Sequence, residues 1–144
     1  MDQTDRRILD ILQRDGRITM KALAGQINMS VPAAAERVRR LEEQKVIQGY
    51  RAEIDLNALG CQVEAVILAS AHAGQEIRLR EYVQDCPSIT DAWDLAGRVG
   101  LLLKVHCVDM TAFRAVVREL QDMSTTESYL YLNCLKEHGR PADG

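Results

Sequence analysis

Long hydrophobic runs are missing from this sequence of 144 residues. Although 47% of the residues are hydrophobic, no stretch is long enough to span a bilayer or to resemble a signal peptide. We therefore expect a cytoplasmic protein that has no membrane partner. The length allows two small domains or one ordinary one.

Paired cysteines and clustered metal ligands are also missing. No two cysteines form a CxxC pair, and no histidine has a companion at a metal-binding spacing. The residues concerned are Cys61, Cys86, Cys107, Cys134, His72, His106 and His138. This scatter favours reduced thiols that pack in the interior over disulfides or a zinc site, and it predicts neither a metal nor a cofactor. His72 and His106 fall in strand-like segments, where a half-buried, hydrogen-bonded histidine is more common than a metal ligand.

A catalytic motif is missing as well. Asp91, Trp93 and Asp94 lie on one strand-like segment, but no acid, base or nucleophile in the second half of the chain forms a set with them. An enzyme needs such a convergent set of side chains. We therefore predict that the chain is not an enzyme.

Two short helices joined by a tight turn are present between residues 19 and 49. The first helix covers residues 20–27 and carries its apolar side chains on one face, namely Leu23, Ala24 and Ile27. Ser30 is a natural N-cap for the second helix because its hydroxyl can accept a free backbone N–H, and Pro32 is tolerated in the first turn. The second helix is predicted over residues 31–44.

The second helix has an apolar side and a charged side. Ala34, Val38 and Leu41 form a narrow apolar stripe, and Arg37 lies at its edge. The opposite side carries Pro32, Glu36, Arg39, Arg40 and Glu43. Such a pair fits a helix-turn-helix whose second helix enters the DNA major groove. A charged helix face is also often only solvated, so the pattern by itself leaves both interpretations open.

The flanking segments favour the DNA-binding interpretation. A helix over residues 5–12, begun by Thr4 and ended near Gly16, turns Ile8, Leu9 and Leu12 inward. The segment KVIQGYRAEI, residues 45–54, favours β structure and would form a wing. Three helices followed by a wing make a winged helix-turn-helix.

Charge divides along the chain in the same way. Through Arg51 there are ten Lys and Arg against seven Asp and Glu, and the remainder has eight against fourteen. The sequence pI is about 5.6, which argues against a purely electrostatic nucleic-acid binder. The basic excess is nevertheless confined to the helical segment, although a difference of this size also arises by chance.

The second half predicts the element order βαββαβ. Strands are expected at residues 62–73, 89–95, 99–108 and 127–136, with helices at 76–85 and after the N-cap Asp109. A hairpin turn is expected at Gly97 to Gly100, where glycines allow the required backbone angles. This order is that of the ferredoxin-like split βαβ fold, so we predict an α+β chain.

The first and third of these strands, VEAVILASA and LLLKVHCV, are apolar on both faces. Two helices cover only one face of a four-stranded antiparallel sheet, and the second face normally alternates with polar residues when it meets water. A second copy of the same sheet is the simplest cover. A symmetric homodimer would also supply two recognition helices for a palindromic DNA site.

The motifs of the first fifty residues resemble those of the Lrp/AsnC family of bacterial and archaeal transcription regulators. That family carries DRxIL, then RxS/TxxxLA, then LSxxxVxxRVxxLExxGVIxGY. Here residues 5–9 are DRRIL, residues 17–24 are RITMKALA, and residues 30–50 are SVPAAAERVRRLEEQKVIQGY. Three positions depart from the family pattern: Met29 replaces leucine, Ala34 replaces valine, and Lys45 replaces the glycine that is the easier C-cap.

The resemblance implies a domain plan and a set of DNA contacts. It implies a DNA-binding domain at residues 1–50, a wing strand and linker at 51–61, an effector and oligomerisation domain at 62–138, and a flexible tail at 139–144. Double-stranded DNA is the expected partner. The predicted contacting residues are Ser30, Pro32, Ala33, Glu36, Arg37, Arg39 and Arg40. The family resemblance also implies sheet-to-sheet dimers and octamers.

The predicted effector turn departs most from the family. Relatives commonly carry GDxD at this hairpin, whereas the chain has Gly97, Arg98, Val99 and Gly100. Without the two acids, recognition of an amino-acid ammonium is weakened, and an anionic effector is favoured by Arg98. The alternative is that Arg98 is a solvated turn residue, and that the chain responds to no standard amino acid or binds its effector through a different set of contacts. The chain is thus expected to be a sequence-specific transcription regulator, or else an architectural DNA-wrapping protein with little effector control.

Overall fold

The computed structural model describes residues 1–133 and residue 135. The chain divides into two compact units, Met1–Glu53 and Ile54–Gly144, and each is described by itself. The predicted tail at 139–144, Cys134 and His138 lie outside the described residues. In the described part of the chain, no helix has the length and apolar character needed to cross a membrane.

The first unit contains three helices: α1 (Gln3–Arg14), α2 (Met20–Gln26) and α3 (Val31–Glu43). The predicted start of α1 at Thr4 is wrong. Asp2 is the N-cap, because it and Asp5 form a reciprocal capping box in which each side chain accepts the backbone N–H of the other. Two orphan donors at the helix start are thereby satisfied.

The turn between α2 and α3 consists of a motif that ends α2, followed by the N-cap that begins α3. Asn28 adopts a left-handed conformation with φ 56°, and the Met29 amide donates to the Ala24 carbonyl at 3.0 Å. Asparagine tolerates this conformation better than most residues, so it ends α2. Ser30 then caps α3 by accepting the Ala33 amide at 3.3 Å, which confirms the predicted helix start.

The C-terminus of α3 repeats this motif with a less suitable residue. Lys45 has φ 58°, its amide donates to the Glu42 carbonyl at 3.0 Å, and the Val46 amide donates to the Leu41 carbonyl at 2.9 Å. These two hydrogen bonds define a Schellman motif, in which the left-handed position usually holds glycine. Lys45 therefore occupies a strained backbone conformation.

The core of the first unit is formed by the predicted apolar faces of the three helices. Its buried members are Ile8, Ile11, Leu23, Ala24, Ile27, Ala34, Val38 and Leu41. In α1 the predicted inward residues Leu9 and Leu12 are only partly buried, and Ile11 is buried beside Ile8. The stripe predicted on α3 is confirmed in full.

The predicted wing strand is not formed. Residues 44–62 are all described, and they contain turns and irregular backbone with no strand. The β-favouring side chains of residues 45–54 are insufficient because a strand also needs a partner to satisfy its backbone groups, and only one such segment is present in this unit. Tyr50 instead donates from its hydroxyl to Glu42 at 3.0 Å.

The second unit has the predicted order β1 (Val63–Ala71), α4 (Glu76–Asp85), β2 (Ile89–Asp94), β3 (Leu101–Cys107), α5 (Met110–Gln121) and β4 (Ser124–Leu130). The four strands form one antiparallel sheet in the order β2-β3-β1-β4. This confirms the ferredoxin-like α+β prediction. Asp109 caps α5 as expected, by accepting the Ala112 amide at 2.8 Å.

The last strand begins earlier than predicted. β4 starts at Ser124 instead of residue 127, and Ser124 pairs with Ala71 while Leu130 pairs with Ala65. The apolar residues near Leu130 suggested a later strand, but the register with β1 determines where pairing begins. Ser124 is buried and donates from its hydroxyl to the Leu120 carbonyl at 2.6 Å. The polar start of the strand is satisfied in this way.

The two sheet faces differ in character. The helices cover Ala65, Ile67, Ala69, Leu101, Leu103, Val105 and Cys107, all of which are buried. The outward face is apolar at one end and polar at the other, not apolar throughout as predicted. Val66, Leu68 and Leu102 are partly exposed there, and Glu64, Lys104 and His106 form the polar end.

The cysteines and histidines of the described residues differ in burial. Cys107 is buried and burial raises the pKa of its thiol, while Cys61 and Cys86 are half-buried and free. His106 lies 3.1 Å from the Thr90 hydroxyl through Nδ1 and 3.2 Å from Glu64 through Nε2, so it is the hydrogen-bonded histidine that its strand position predicts. His72 is exposed beyond the end of β1 and is not half-buried.

Candidate nucleic-acid interface

The exposed side of α3 begins with short, mostly apolar side chains. Pro32 is exposed and Ala33 is half-buried. The hydroxyl of Ser30 is occupied in capping the helix through the Ala33 amide. The first turn of α3 can therefore contact a partner through its apolar surface and its backbone N–H groups, but not through side-chain hydrogen bonds.

Glu36 and Arg39 form a close ion pair on this exposed side. Nε of Arg39 donates to Oε2 of Glu36 at 2.9 Å, and Nη2 donates to Oε1 at 2.5 Å. The same guanidinium also donates to Glu43. The hydrogen bond from Arg39 holds the pKa of Glu36 below its usual range, and that from Glu36 raises the pKa of Arg39. Both groups therefore stay charged at neutral pH.

Arg37 and Arg40 are directed instead toward the start of α1. Nη1 of Arg37 lies 2.6 Å from Oδ2 of Asp2 and 2.8 Å from Oδ1 of Asp5. Nη2 of Arg40 is 3.0 Å from both oxygens of Asp5. The sequence pattern places Arg40 on the side opposite the apolar stripe, but in the structure this ion pair directs its guanidinium toward α1. Its side chain remains 47% exposed and that of Arg37 25% exposed.

Asp5 joins α1 to α3 and was not identified from the sequence as an important residue. Its side chain is 1% exposed. Burial tends to raise its pKa, but the Asp2 amide and the Arg37 guanidinium outweigh burial, and the pKa is lowered. The D-x-x-D spacing of Asp2 and Asp5 is the one local signal of this arrangement, because it is that of a capping box. The contacts to α3 have no local signal.

The helix α3 has no net charge of its own. Its three arginines are matched by three glutamates within residues 31–43. The basic excess of the first unit therefore comes from exposed residues outside α3, namely Arg6, Arg7, Arg14, Arg17, Lys21, Lys45 and Arg51. These residues can contact phosphates, which would position the unit without selecting a sequence.

The predicted effector residues lie together in the turn between β2 and β3. The Leu95 amide donates to the Gly100 carbonyl at 2.8 Å, Gly97 has φ 154°, and Val99 is half-buried. Arg98 is exposed, and its carbonyl accepts from the Ser70 hydroxyl at 3.4 Å. The turn itself thus has one charged side chain, that of Arg98.

The carboxylate nearest the turn in sequence is at the end of β2. Asp94 accepts two hydrogen bonds from Arg80 of α4, at 2.7 and 2.8 Å. The Arg80 contact lowers the pKa of Asp94 and keeps it ionised. Asp94 is thus an ionised carboxylate paired with Arg80, and it lies at the end of the strand that leads into the turn.

Comparisons with known proteins agree with these two units. A family model for winged helix-turn-helix DNA-binding domains matches residues 1–48. The model for the Lrp/AsnC ligand binding domain matches residues 64–141, which is more than half of the chain.

Curated relatives match over most of their length. The chain is 34% identical over 137 residues to the transcriptional regulatory protein DoeX of Halomonas elongata, covering 92% of the chain and 87% of the relative. It is 31% identical over 147 residues to the leucine-responsive regulatory protein of Escherichia coli, covering 97% and 90%. These relatives are transcription regulators, so their function is regulatory and not catalytic.

Solved structures share the fold of the chain. LrpC of Bacillus subtilis superposes with a TM-score of 0.88 at 27% identity, covering 94% of this chain and 97% of LrpC. A feast or famine regulatory protein of M. tuberculosis, complexed with L-methionine, gives a TM-score of 0.88 at 26% identity, and the match covers 99% of each chain. With its helix-turn-helix, its ferredoxin-like sheet and its matches to the winged helix-turn-helix and Lrp/AsnC ligand binding models, the chain belongs to the Lrp/AsnC family of DNA-binding transcription regulators.

Proposed function

We propose that this regulator binds DNA as a homodimer, with α3 of each copy in the major groove. The observation that supports this most directly is the exposed side of α3, where Pro32, Ala33, Glu36 and Arg39 follow one another along the helix. In helix-turn-helix proteins the N-terminal residues of the second helix contact base edges. Because the proposed partner is genomic DNA, we place the chain in the cytoplasm.

The proposed contacts fall into two groups. Ser30 and the neighbouring backbone N–H groups fix the start of α3 on a phosphate, because a helix N-terminus favours anions. Pro32, Ala33, Glu36 and Arg39 face the groove. Arg40, whose side chain is 47% exposed, contacts the phosphate backbone. Arg37 is directed to Asp2 and Asp5 and contributes by holding α3 against α1.

The proposed dimer forms through the outward face of the sheet. At the apolar end of this face Leu102 pairs with Trp93 on β2 and with Leu68 on β1. Trp93 is 49% exposed and Tyr129 is 53% exposed, which is a large aromatic area for a face that meets only water. Burial of this area stabilises a dimer by about 25 cal/mol for each Å² removed from water. Assembly of dimers into octamers remains a proposal drawn from the family.

The proposed effector is an amino acid or another small anion bound near the β2–β3 turn. The M. tuberculosis relative is complexed with L-methionine, which supports a ligand of this size. Arg98 and the absence of acids in residues 97–100 favour the carboxylate end of such a ligand over its ammonium. The second candidate function is DNA wrapping with little effector control, and the altered turn is the observation that favours it.

A DNA-binding titration tests the placement of α3. Fluorescence anisotropy with a duplex from the region upstream of the chain's own gene should show that R39A/R40A weakens binding at least tenfold at matched salt. The matched control is R114A/R118A, which removes two exposed arginines of α5 and the same charge. Equal affinity of R39A/R40A and the unsubstituted protein would contradict the proposal.

A further inference from the structure

We propose that Glu36 determines sequence specificity by accepting a hydrogen bond from the N4 amino group of a cytosine in the major groove. The inference rests on the proposed function, because it requires α3 to lie in that groove. It assigns a base to a residue of the candidate interface, rather than a general contact with DNA.

Glu36 is the first side chain of α3 that can form a hydrogen bond with a base. Residues 31–35 are VPAAA and have no polar side-chain atom. The Ser30 hydroxyl precedes the helix, accepts the Ala33 amide, and is assigned in the proposed function to a phosphate. Because the N-terminal part of a recognition helix lies closest to the base edges, polar recognition there falls to Glu36, whose side chain is 63% exposed.

The chemistry of a carboxylate selects the base. An ionised glutamate only accepts hydrogen bonds, so the acceptor atoms of guanine and the O4 atom of thymine repel it. Cytosine presents its N4 amino group alone in the major groove, whereas adenine presents its N6 amino group next to the N7 acceptor. Cytosine is therefore the base whose edge matches a carboxylate.

The ion pair with Arg39 holds this acceptor in place and keeps it ionised. Both Glu36 oxygens already accept from Arg39, at 2.9 and 2.5 Å. A carboxylate has about four lone-pair sites, so each oxygen can accept one further hydrogen bond. The guanidinium also offsets the repulsion between Glu36 and the phosphates, and it keeps the pKa of the carboxyl low.

Selection of binding sites from a random duplex pool tests this assignment with the full-length chain. The unsubstituted protein, E36Q and the matched control E43Q are each used for selection, and the enriched sites are then titrated by anisotropy. Glu43 also accepts from Arg39 and its side chain is 57% exposed, so E43Q removes the same charge from the same helix. Circular dichroism checks that all three proteins are folded.

The expected result is a change at one position of each half-site. E36Q should replace a preference for cytosine by one for adenine, because glutamine both donates and accepts and so matches adenine N6 and N7. The cytosine site should lose about tenfold in affinity relative to the adenine site. E43Q should retain the cytosine preference.

Three outcomes would overturn the assignment. An unchanged preference in E36Q would show that Glu36 contacts no base. Loss of a guanine preference in both E36Q and E43Q would show that Arg39 contacts the base and that the glutamates only hold it. If the unsubstituted protein enriched no sequence, the proposed function itself would fail, and this outcome is distinct from the other two.

Discussion

Replacement of Asp5 by asparagine should destabilise the three-helix unit more than any other loss of one charge there. The carboxylate is 1% exposed and accepts from the Asp2 amide, from Arg37 and from Arg40. Asparagine has nearly the same shape but only one acceptor oxygen. The change therefore removes the charge and leaves an amide N–H₂ group facing cations.

The magnitude follows from these contacts. Hydrogen bonds to charged groups contribute about 1.5–3 kcal/mol each, and removal of one partner from a buried ion pair costs about 3–5 kcal/mol. The arginine partners are 25% and 47% exposed, so water can hydrate them after the change and the cost is reduced. We expect D5N to lower the free energy of unfolding of this unit by about 2 kcal/mol.

Hydrogen exchange of the α3 amides measures this unit directly. The chain has one tryptophan, Trp93, which lies in the second unit, so its fluorescence during urea unfolding reports whether that unit is unaffected. The control is D85N, which changes the same charge at the exposed end of α4. Unchanged α3 protection in D5N would refute the reasoning.

The same prediction has a pH signature. The folded-state pKa of Asp5 lies below its ordinary value, so the stabilisation is present at neutral pH and is lost as the pH falls below about 4 through that pKa. The difference between the unsubstituted protein and D5N should therefore shrink toward pH 3. A difference that stays constant with pH would assign the effect to packing and not to charge.

Three further predictions concern other parts of the chain. Leu103→Asp should unfold the second unit, because Leu103 is 0% exposed. Leu102→Asp on the outward face should leave the second unit folded, and the protein should sediment as a monomer. A dimeric L102D would contradict the proposed interface. Lys45→Gly should raise the free energy of unfolding of the first unit by about 1 kcal/mol, because Lys45 has φ 58° and glycine adopts this conformation more easily. A urea titration in which the free energy of unfolding does not rise would show that the site is unstrained. Arg98→Ala should weaken glutamate binding in calorimetric titration and leave leucine binding weak or absent; micromolar leucine binding that survives R98A would exclude the turn as the pocket.

Features that depend on neighbouring residues in the sequence were predictable. Ser30 and Asp109 were identified as caps because a capping side chain and the amide that it binds are three residues apart. The apolar stripe of α3 follows from helical spacing. The order of strands and helices followed in the same way, since each element has its own periodic pattern.

Features that depend on distant residues were not predictable. Arg40 and Asp5 are 35 residues apart, so nothing near Arg40 shows that its guanidinium bends toward α1. The start of β4 depends on its register with β1, and β propensity alone placed it too late. The wing failed for the same reason, because residues 45–54 favour a strand but have no partner strand in their unit.

The distribution of charge on α3 separates affinity from specificity. Within α3 each arginine is paired with a carboxylate of α1 or of its own helix, so the helix adds little net charge to the complex. The exposed basic residues outside α3 are then the main source of phosphate neutralisation, which sets the salt dependence of DNA binding. Substitution of Glu36 should therefore change the preferred base and leave the salt dependence of binding unchanged. Substitution of Arg17 or Lys21 should reduce the salt dependence and leave the preferred sequence unchanged.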